Sequence, residues 1–292
     1  MWQSIKRSLF ARRYLRQQLN HTQQQLALSQ LHWLAQQKRL LGAKSESVQI
    51  INCIVSLTSY GSRIKTLHYT LYSLLNQTVK PTQIIVWLAH GEQLTKELQA
   101  LESVIVFKWC KDLRSYKKLI PSLNLQLNAP IITFDDDVIY PDDQVERLYK
   151  EHLAYPNVIV CHRAHRIVLN AGQLEAYTRW SFNVSDQLAS NLLIPIGIGG
   201  VLYPVNCFVA EVTDTNLFMF LCPTADDIWF KFMALKKGYK TKLVENPSPY
   251  EEYLHVVGCQ EQTLWQHNKI ANDAQLAALI SYDKTLLDLL RD

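Results

Sequence analysis

From residue 49 onward, short apolar runs alternate with helical stretches, and this alternation constrains the fold more than any other feature. The runs are rich in Val and Ile and short enough to be buried strands: 50–57, 84–88, 104–107, 131–134 and 158–161. Between the first two runs, 66–77 has Leu67, Leu71 and Leu74 on one helical face. Alternation of this kind predicts an α/β protein with a mostly parallel sheet flanked by helices.

The length of 292 residues accommodates one large core and a small appendage. We expect a helical extension over 1–47, a main domain over 48–272 and a C-terminal helix over 273–292. The main domain is expected to divide into halves, 48–140 and 141–272.

The N-terminal extension is basic. It has eight Lys or Arg and no acid up to Lys44, so with a total net charge of +4 the rest of the chain carries −4. Its apolar residues follow a helical spacing and give one stripe: Leu15, Leu19, Leu26, Trp33 and Leu40. Two interpretations stay open. The helix packs on the main domain or on a second copy, or residues 1–45 lie on an anionic membrane with Trp2, Phe10 and Trp33 inserted.

Compartment signals favour the cytoplasm, with peripheral attachment to the inner membrane under the second interpretation. The six cysteines are widely spaced without a C-x-x-C pair, which favours free thiols in a reducing compartment. Arg12, Arg13 and Arg16 interrupt the apolar residues that a secretory signal needs. The uncharged segment 192–210 contains Pro195, Gly197 and other helix-breaking residues, so we predict strand and loop rather than a membrane span.

An acidic run directly follows the predicted strand 131–134. Asp135, Asp136 and Asp137 are consecutive, Asp142 and Asp143 come soon after, and no basic residue lies among them. Like charges packed this closely are unfavourable unless a cation or hydrogen-bond donors neutralise them. Open α/β sheets also bind their ligands at this end of the strands. The run therefore predicts a ligand site.

Alternation along an extended chain would place Asp135 and Asp137 on one side, with Asp136 pointing elsewhere. Carboxylate oxygens suit hard ions that bridge to phosphates, so the pair predicts an Mg²⁺ or Mn²⁺ site. A solvated acidic turn is the alternative. Asp142 and Asp143 are expected to cap the following helix.

Several short motifs occur in the order found in one known family. They are 55–64, 70–81, 112–119, the Asp triplet, 199–204 and 224–227. Over most of its length after the N-terminal extension, the chain resembles bacterial family 2 glycosyltransferases of the GT-A type. The resemblance implies a Rossmann-like half that binds a nucleotide sugar, followed by an acceptor half.

The resemblance also implies a donor site. The residues implied to form the nucleotide pocket are Ser56, Thr58, Tyr60 and Arg63. Asp112 would contact the nucleoside, Asp136 the donor sugar or nucleoside, and Lys117 or Lys118 the diphosphate. A lysine can offset phosphate charge, but only one of two adjacent lysines can readily point inward. An exposed face of a short helix is the alternative for both.

In the resembled family a carboxylate acts as general base. The corresponding pair here is Asp226-Asp227 where the family usually has Glu-Asp, which implies Asp227 as base and Asp226 as the residue that orients the acceptor. The base would deprotonate the acceptor hydroxyl as it attacks the anomeric carbon, while the metal stabilises the leaving diphosphate. Two acids before 228–236 also suit a helix N-terminus, and both roles can coexist.

Three further features fit the resemblance less specifically. Gly199 and Gly200 would let the backbone approach donor or acceptor, or else form a buried bulge. His255 lies where GT-A enzymes often supply a third metal ligand, although a structural histidine is the commoner case. Asn272 and Asp273 match a late pair in the family, and helix capping explains them equally well.

The sequence-based hypothesis is a metal-dependent inverting glycosyltransferase of bacterial surface polysaccharide biosynthesis, with Mn²⁺ or Mg²⁺ as cofactor. Its partners would be a nucleotide-diphosphate sugar and a glycan or lipid-linked acceptor, with no nucleic acid. One alternative is an Mg²⁺-dependent nucleotidyl- or phosphotransferase, which should have a Gly-rich phosphate loop near the first strand, but 59–62 has too few glycines for one. Another is a non-catalytic scaffold assembled through the N-terminal helix.

Overall fold

A seven-stranded sheet forms the centre of the protein. The computed structural model describes residues 2–37, 48–249, 253–256 and 264–291, with the backbone alone described for 2–14, 16–17 and 264–270. The strands are β1 (Ile50–Thr58), β2 (Lys80–Ala89), β3 (Val106–Cys110), β4 (Ile131–Thr133), β5 (Val138–Ile139), β6 (Val158–Cys161), β7 (Ala164–Arg166), β8 (Leu169–Asn170), β9 (Gln173–Leu174), β10 (Leu193–Pro195), β11 (Val201–Tyr203), β12 (Lys240–Leu243) and β13 (Leu254–His255).

Helices cover the sheet and connect its strands. The α-helices are α1 (Trp2–Gln36), α2 (Leu67–Leu75), α3 (Lys96–Gln99), α4 (Ile120–Asn124), α5 (Gln144–Ala154), α6 (Thr215–Leu221), α7 (Asp226–Lys236), α8 (Leu264–Tyr282) and α9 (Thr285–Leu289). Short 3-10 helices span Gly61–Lys65, Arg114–Lys118, Tyr177–Arg179, Gly197–Gly199 and Ala210–Thr213.

The strand order is β12-β6-β11-β4-β1-β2-β3. All neighbouring pairs are parallel except the two that involve β11, which runs antiparallel to both β4 and β6. The predicted mostly parallel sheet flanked by helices is therefore confirmed. The reversal of β11 brings the loop before it, rather than the loop after it, to the carboxyl ends of its neighbours.

Alternate residues of the central strands belong to different hydrophobic clusters, because successive side chains of a strand point to opposite faces. Ile131 of β4 packs in the cluster that contains Phe218 of α6 and Trp229 of α7. Ile132 packs in the cluster that contains Leu71 of α2 and Leu148 of α5. Both faces of the sheet are thus buried under helices, which explains why its strands are uniformly apolar.

Two predictions about the later part of the chain have different outcomes. The segment 192–210 forms β10 and β11 with loops, which confirms the predicted strand and loop. The C-terminal helix predicted over 273–292 is wrong in its bounds, because α8 already begins at Leu264 and α9 follows it separately. The boundary predicted after residue 272 falls inside α8.

The C-terminal part of the long helix α1 packs on the domain. Leu31 is buried, and Ala27, Leu28, Leu34 and Ala35 are partly buried against the cluster around α2. The apolar stripe predicted from the sequence consists of other residues, and those that are described are exposed: Leu15, Leu19, Leu26 and Trp33. Leu40 and most of the predicted linker at 43–48 lie outside the described residues. No α-helix within the described ranges has the length and apolar character needed to cross a bilayer.

Candidate active site

The Asp triplet lies where two central strands end. β1 and β4 are parallel neighbours, with Ser56 opposite Thr133, so the segments after them emerge side by side. β4 ends at Thr133, and the triplet occupies an irregular segment before β5. The predicted alternation of Asp135 and Asp137 is therefore wrong, because it holds only while the chain continues as a strand.

Arg63 binds two of the three carboxylates. Its Nη1 lies 2.6 Å from Oδ1 of Asp136, and its Nη2 lies 2.9 Å from Oδ2 of Asp137. The Ser59 hydroxyl donates to the other oxygen of Asp136 at 2.6 Å. Asp136 is buried, so its carboxylate is held by protein donors rather than presented to a ligand. The fork shape of the guanidinium allows one side chain to hold both acids.

Burial dominates the electrostatics of this pair of acids. It raises the pKa of Asp136 to about 6, although the charge of Arg63 acts in the opposite direction. Burial also raises the pKa of Asp137, again against the effect of Arg63. Burial disfavours the charge of Arg63 itself, but Asp136 and Asp137 offset that effect and the guanidinium pKa is raised.

Lys118 is surrounded by three other carboxylates. Its Nζ lies 2.9 Å from Oδ2 of Asp226, 3.4 Å from Oδ1 of Asp135 and 3.9 Å from Oδ1 of Asp227. Asp226 and Asp227 form the first turn of α7, and Ser115 donates to Asp226 at 2.9 Å. Because Asp135 precedes α7 by about ninety residues in sequence, only the folded chain brings these acids together.

The titration of this second group differs from that of an isolated lysine or aspartate. Burial disfavours the charge of Lys118, but Asp226, Asp135 and Asp227 outweigh it, and the pKa of the ammonium is raised well above its usual value. Burial, followed by the charges of Asp226 and Asp135, raises the pKa of Asp227 to about 7, although Lys118 lowers it. Lys118 is thus a permanent cation, while Asp227 can exchange a proton near neutral pH.

Gly197 approaches this group most closely. A Cβ at this position would lie 2.9 Å from Nζ of Lys118 and 3.2 Å from Oδ1 of Asp135. Its backbone N–H lies 3.4 Å from Oδ2 of Asp227, a long hydrogen bond. Gly197 therefore gives a backbone donor access to the acids, and only the absence of a side chain leaves room for it.

Gly199 and Gly200, the glycines singled out in the sequence, serve internal packing. A Cβ on Gly200 would lie 2.4 Å from Cε1 of Phe134, and its φ of +88° is one that residues with side chains rarely adopt. A Cβ on Gly199 would lie 2.8 Å from Cβ of His162. Both glycines lie before β11 rather than in a bulge of it, and close packing against Phe134 and His162 accounts for them.

His255 is brought to the triplet by β13. This strand pairs antiparallel with β5, placing His255 opposite Val138, and the Val256 N–H donates to the Asp137 carbonyl at 2.8 Å. Burial lowers the pKa of His255, although the charge of Asp135 raises it. The ring is therefore neutral at pH 7, the form in which an imidazole binds metal.

The fit of these residues to a divalent ion is partial. Within the described parts of the chain, no group of three or more His, Cys, Asp or Glu side chains is arranged to hold a metal. Asp137 is already bonded to Arg63, whereas Asp135 has a side chain that is 32% exposed. Mg²⁺ in phosphate-binding sites commonly uses only one or two carboxylates plus substrate oxygens. Asp135 fits such a site better than Asp137 does, because it is more exposed and its contact with Lys118 is longer, at 3.4 Å. Binding of a metal by the pair stays a prediction.

The other predicted nucleotide-site residues are spread over different surroundings. Ser56 is fully buried and its hydroxyl lies 2.8 Å from that of Ser122, while the Thr58 hydroxyl donates to the Trp87 carbonyl at 2.7 Å. Tyr60 is exposed, and its ring lies 5.5 Å from the Arg63 guanidinium carbon. Of these three side chains, only that of Tyr60 is open to a ligand.

The adjacent lysines point in different directions. Lys117 forms an ion pair with Asp112, whose side chain is 64% exposed, whereas Lys118 enters the carboxylate group. The expectation that one lysine of the pair points to the site thus selects Lys118. Whether Asp112 contacts a nucleoside stays a prediction.

The predicted helix caps are wrong. Asp143 occupies the residue before α5, but its side chain makes no capping hydrogen bond. Asn272 and Asp273 lie within α8, where Asp273 instead accepts a hydrogen bond from the Tyr177 N–H at 2.7 Å. α5 thus begins directly after Asp143 but without the capping bond, whereas α8 begins before Asn272 and Asp273.

Three contributors to the site were not predicted: Ser59, Ser115 and Gly197. Ser59 and Ser115 each lie within a few residues of a predicted site residue, so proximity in sequence was an available signal. Gly197 stands two residues before the glycine pair, and nothing in the local sequence distinguishes it.

No protein-family model matches the sequence, and no curated protein sequence matches it. Among solved structures, one similar chain is a 4-diphosphocytidyl-2C-methyl-D-erythritol synthase, with 10% identity and a TM-score of 0.44 over 78% of this chain and 100% of that one. Another is a CMP:2-keto-3-deoxy-manno-octonic acid synthetase complexed with CTP, with 11% identity and a TM-score of 0.39 over 68% and 89%. Likeness at this level does not extend to function, which depends on the site itself.

Proposed function

We propose that this protein is a nucleotide-dependent transferase that moves an activated group onto a hydroxyl acceptor. The observation that carries the proposal is the position of Asp227, a partly exposed carboxylate that accepts a hydrogen bond from the Gly197 N–H and faces Lys118. Burial and the neighbouring acids raise its pKa to about 7. A general base is most effective when its pKa lies near the working pH. A hydroxyl acceptor needs such a base, whereas an already ionised acceptor does not.

The neighbouring residues supply complementary roles in this proposal. Asp227 removes the proton of the acceptor hydroxyl, and the Gly197 N–H and the Lys118 ammonium orient its carboxylate. Lys118 also places a fixed positive charge close to Asp135, where a substrate phosphate can bind. A divalent ion held by Asp135 would further neutralise the charge of the departing phosphate.

Glycosyl transfer is the form of the reaction that we favour, with a nucleotide-diphosphate sugar as donor. The acceptor oxygen forms a bond to the anomeric carbon, the bond from that carbon to the diphosphate breaks, and the hydroxyl proton passes to Asp227. The order of the sequence motifs and the base at the start of α7 support this form. A bacterial surface glycan or its lipid-linked precursor is the acceptor class that we propose.

Nucleotidyl transfer is the second candidate, and the contact between Arg63 and Asp137 favours it. With Asp137 and Asp136 occupied by Arg63, the triplet presents mainly Asp135, and one carboxylate suffices for Mg²⁺ bound to a triphosphate. In that reaction the acceptor oxygen attacks the α-phosphorus and inorganic diphosphate leaves.

A binding screen followed by product analysis tests the proposal. Thermal unfolding would be measured with nucleotide sugars and nucleoside triphosphates, with and without Mn²⁺, because a ligand at a hundredfold excess over its Kd adds about 2.7 kcal/mol of stability. Phosphorus NMR of a reaction mixture would then show a nucleoside diphosphate for glycosyl transfer or inorganic diphosphate for nucleotidyl transfer. If no nucleotide raises the melting temperature and no product forms, the proposal is wrong.

A further inference from the structure

The long helix α1 has an exposed apolar stripe on one face. Leu15, Leu19, Leu26 and Trp33 have exposed fractions of 66%, 58%, 66% and 49%. At 100° per residue these four positions fall within an arc of about 40°, and they extend over roughly 27 Å of the helix axis. We call these four residues the α1 stripe.

The opposite face of the same helix is attached to the domain. Leu31 is 6% exposed, and Leu28, Leu34 and Ala35 pack beside it in the cluster that includes α2. On a helical wheel this packed face is centred roughly 150° away from the α1 stripe. The domain therefore sets the direction in which the α1 stripe points, and packing of α1 leaves the stripe uncovered.

The charge of the helix identifies the kind of surface that the α1 stripe fits. Five Lys or Arg and no acid lie within Trp2–Gln36, and Lys38, Arg39 and Lys44 follow. All five basic residues of the helix lie before residue 17. A second copy paired in parallel along the α1 stripe would bring them together with no acid to offset the repulsion, and an antiparallel copy would offer them no opposite charge. A surface of anionic lipid attracts the same charges and accepts the leucines at its boundary with the acyl chains.

We infer that α1 binds the surface of an anionic membrane through the α1 stripe. The helix lies in the plane of the interface, with the leucines inserted and Trp33 at the level of the headgroups, where Trp side chains are favoured. This inference rests on α1 alone and does not depend on the proposed transferase activity.

The membrane contact is close to the candidate active site within the fold. α1 packs against α2 and β13, and β13 carries His255 next to the Asp triplet. The helix that touches the lipid is therefore joined to the site by a single intervening strand. Such an arrangement suits substrates that are themselves attached to lipid.

Vesicle binding of the full chain tests the inference. Sedimentation would be measured with vesicles of phosphatidylcholine alone and with vesicles of equal parts phosphatidylcholine and phosphatidylglycerol. We expect binding to the anionic vesicles, weakened by added salt because the basic residues contribute. A combined Leu15→Gln, Leu19→Gln and Leu26→Gln variant should lose affinity by about tenfold or more, since three inserted leucines are removed.

A matched control removes exposed apolar residues from other parts of the surface. Leu153→Gln, Leu188→Gln and Phe220→Gln replace side chains that are 64%, 81% and 81% exposed, and this variant should bind as the wild type does. Circular dichroism checks that both variants keep the helical content of the wild type.

Three results would overturn the inference. The wild type could fail to bind the anionic vesicles, or the control variant could lose as much affinity as the stripe variant. Alternatively, sedimentation without lipid could reveal an oligomer that the stripe variant dissociates, which would show that a second copy covers the α1 stripe.

Discussion

The two groups of charges at the carboxyl ends of β1 and β4 are built differently. In the Arg63 group, one guanidinium binds two acids through separate nitrogens at 2.6 and 2.9 Å, and both acids are largely buried. In the Lys118 group, one ammonium faces three acids at 2.9 to 3.9 Å. The first group pairs each acid with its own guanidinium nitrogen, whereas the second shares one ammonium nitrogen among three acids and leaves Asp227 beyond hydrogen-bond distance of it.

This difference indicates which acids hold the loop in place and which are available for chemistry. With all acids ionised, the Arg63 group carries a net charge of −1 and the Lys118 group −2. Asp135 and Asp227 are also 32% and 28% exposed, against 5% for Asp136. We therefore expect substitutions in the Lys118 group to change activity, and those in the Arg63 group to change the titration of stability.

The largest expected effect is that of Asp227→Asn. If Asp227 is the general base, the amide cannot accept the acceptor's proton, and kcat should fall by about 10²–10⁴-fold. In the wild type, kcat/KM should rise as the pH passes through about 7, because the base acts in its deprotonated form, and this rise should disappear in the variant. Steady-state kinetics across pH 5–9 provide the measurement.

The control for this substitution is Asp142→Asn, which changes an exposed acid in the loop before α5. Its rates and pH profile should match those of the wild type. A profile that still rises through neutral pH in Asp227→Asn would assign the titration to another group and remove Asp227 from the proposed role.

The second prediction concerns the charge of Lys118. Lys118→Met should lower the free energy of unfolding by about 3 kcal/mol, because it leaves buried acids without their cation. Lys117→Met is the matched comparison, and it should cost less than about 1 kcal/mol, since its partner Asp112 is 64% exposed and water can solvate it. Urea unfolding measures both values, and equal costs would contradict the special position of Lys118.

The third and smallest effect is on the pH dependence of the free energy of unfolding, and it concerns the Arg63 group. The pKa of Asp136 is raised to about 6 in the folded protein, above the value of about 3.9 in an unfolded chain. Between these pH values the folded state keeps a proton that the unfolded state has released, so stability falls as the pH rises from about 4 to about 6. A shift of this size corresponds to a fall on the order of 2 kcal/mol.

Asp136→Asn should reduce this fall, because the amide does not titrate; its oxygen can accept from Arg63, and its NH2 can donate to the Ser59 hydroxyl. Activity should stay within a few-fold of the wild type. Unfolding curves at several pH values, with Asp142→Asn as control, provide the measurement. If the slope of unfolding free energy against pH is unchanged, or if activity falls as much as in Asp227→Asn, the proposed difference between the two groups is wrong.

Much of the fold could be predicted because its signals are local. Ile131 and Ile132 point to opposite faces of the sheet, and both are buried. Because both faces are covered, the strands appear in the sequence as uninterrupted apolar runs. The position of the Asp triplet at a strand end followed from the same pattern. The early start of α8 was missed, because the predicted cap at Asn272 and Asp273 suggested a boundary that tertiary contacts do not use.

The internal arrangement of the site could not be predicted, because it depends on contacts between distant segments. Arg63 meets Asp136 across 73 residues of sequence, and no spacing rule relates them. The choice of Lys118 over Lys117 depends on the direction of a short 3-10 helix, which sequence alone leaves undetermined. Gly197 likewise acquires its role only when Asp135 and Lys118 are brought against it.

The reversed direction of β11 has a consequence for engineering. The loop that enters this strand contains Gly197 and reaches the acids. The loop that leaves it lines a separate cavity of about 560 Å³ at the other end of the central strands, together with Asn128 and Ile131. One three-residue strand thus separates the two loops. The second loop also packs against α7, because the Val212 carbonyl accepts a hydrogen bond from Trp229 Nε1. Substitutions confined to its exposed positions, Asn206 and Ala210, should therefore alter the surface of the cavity without moving α7.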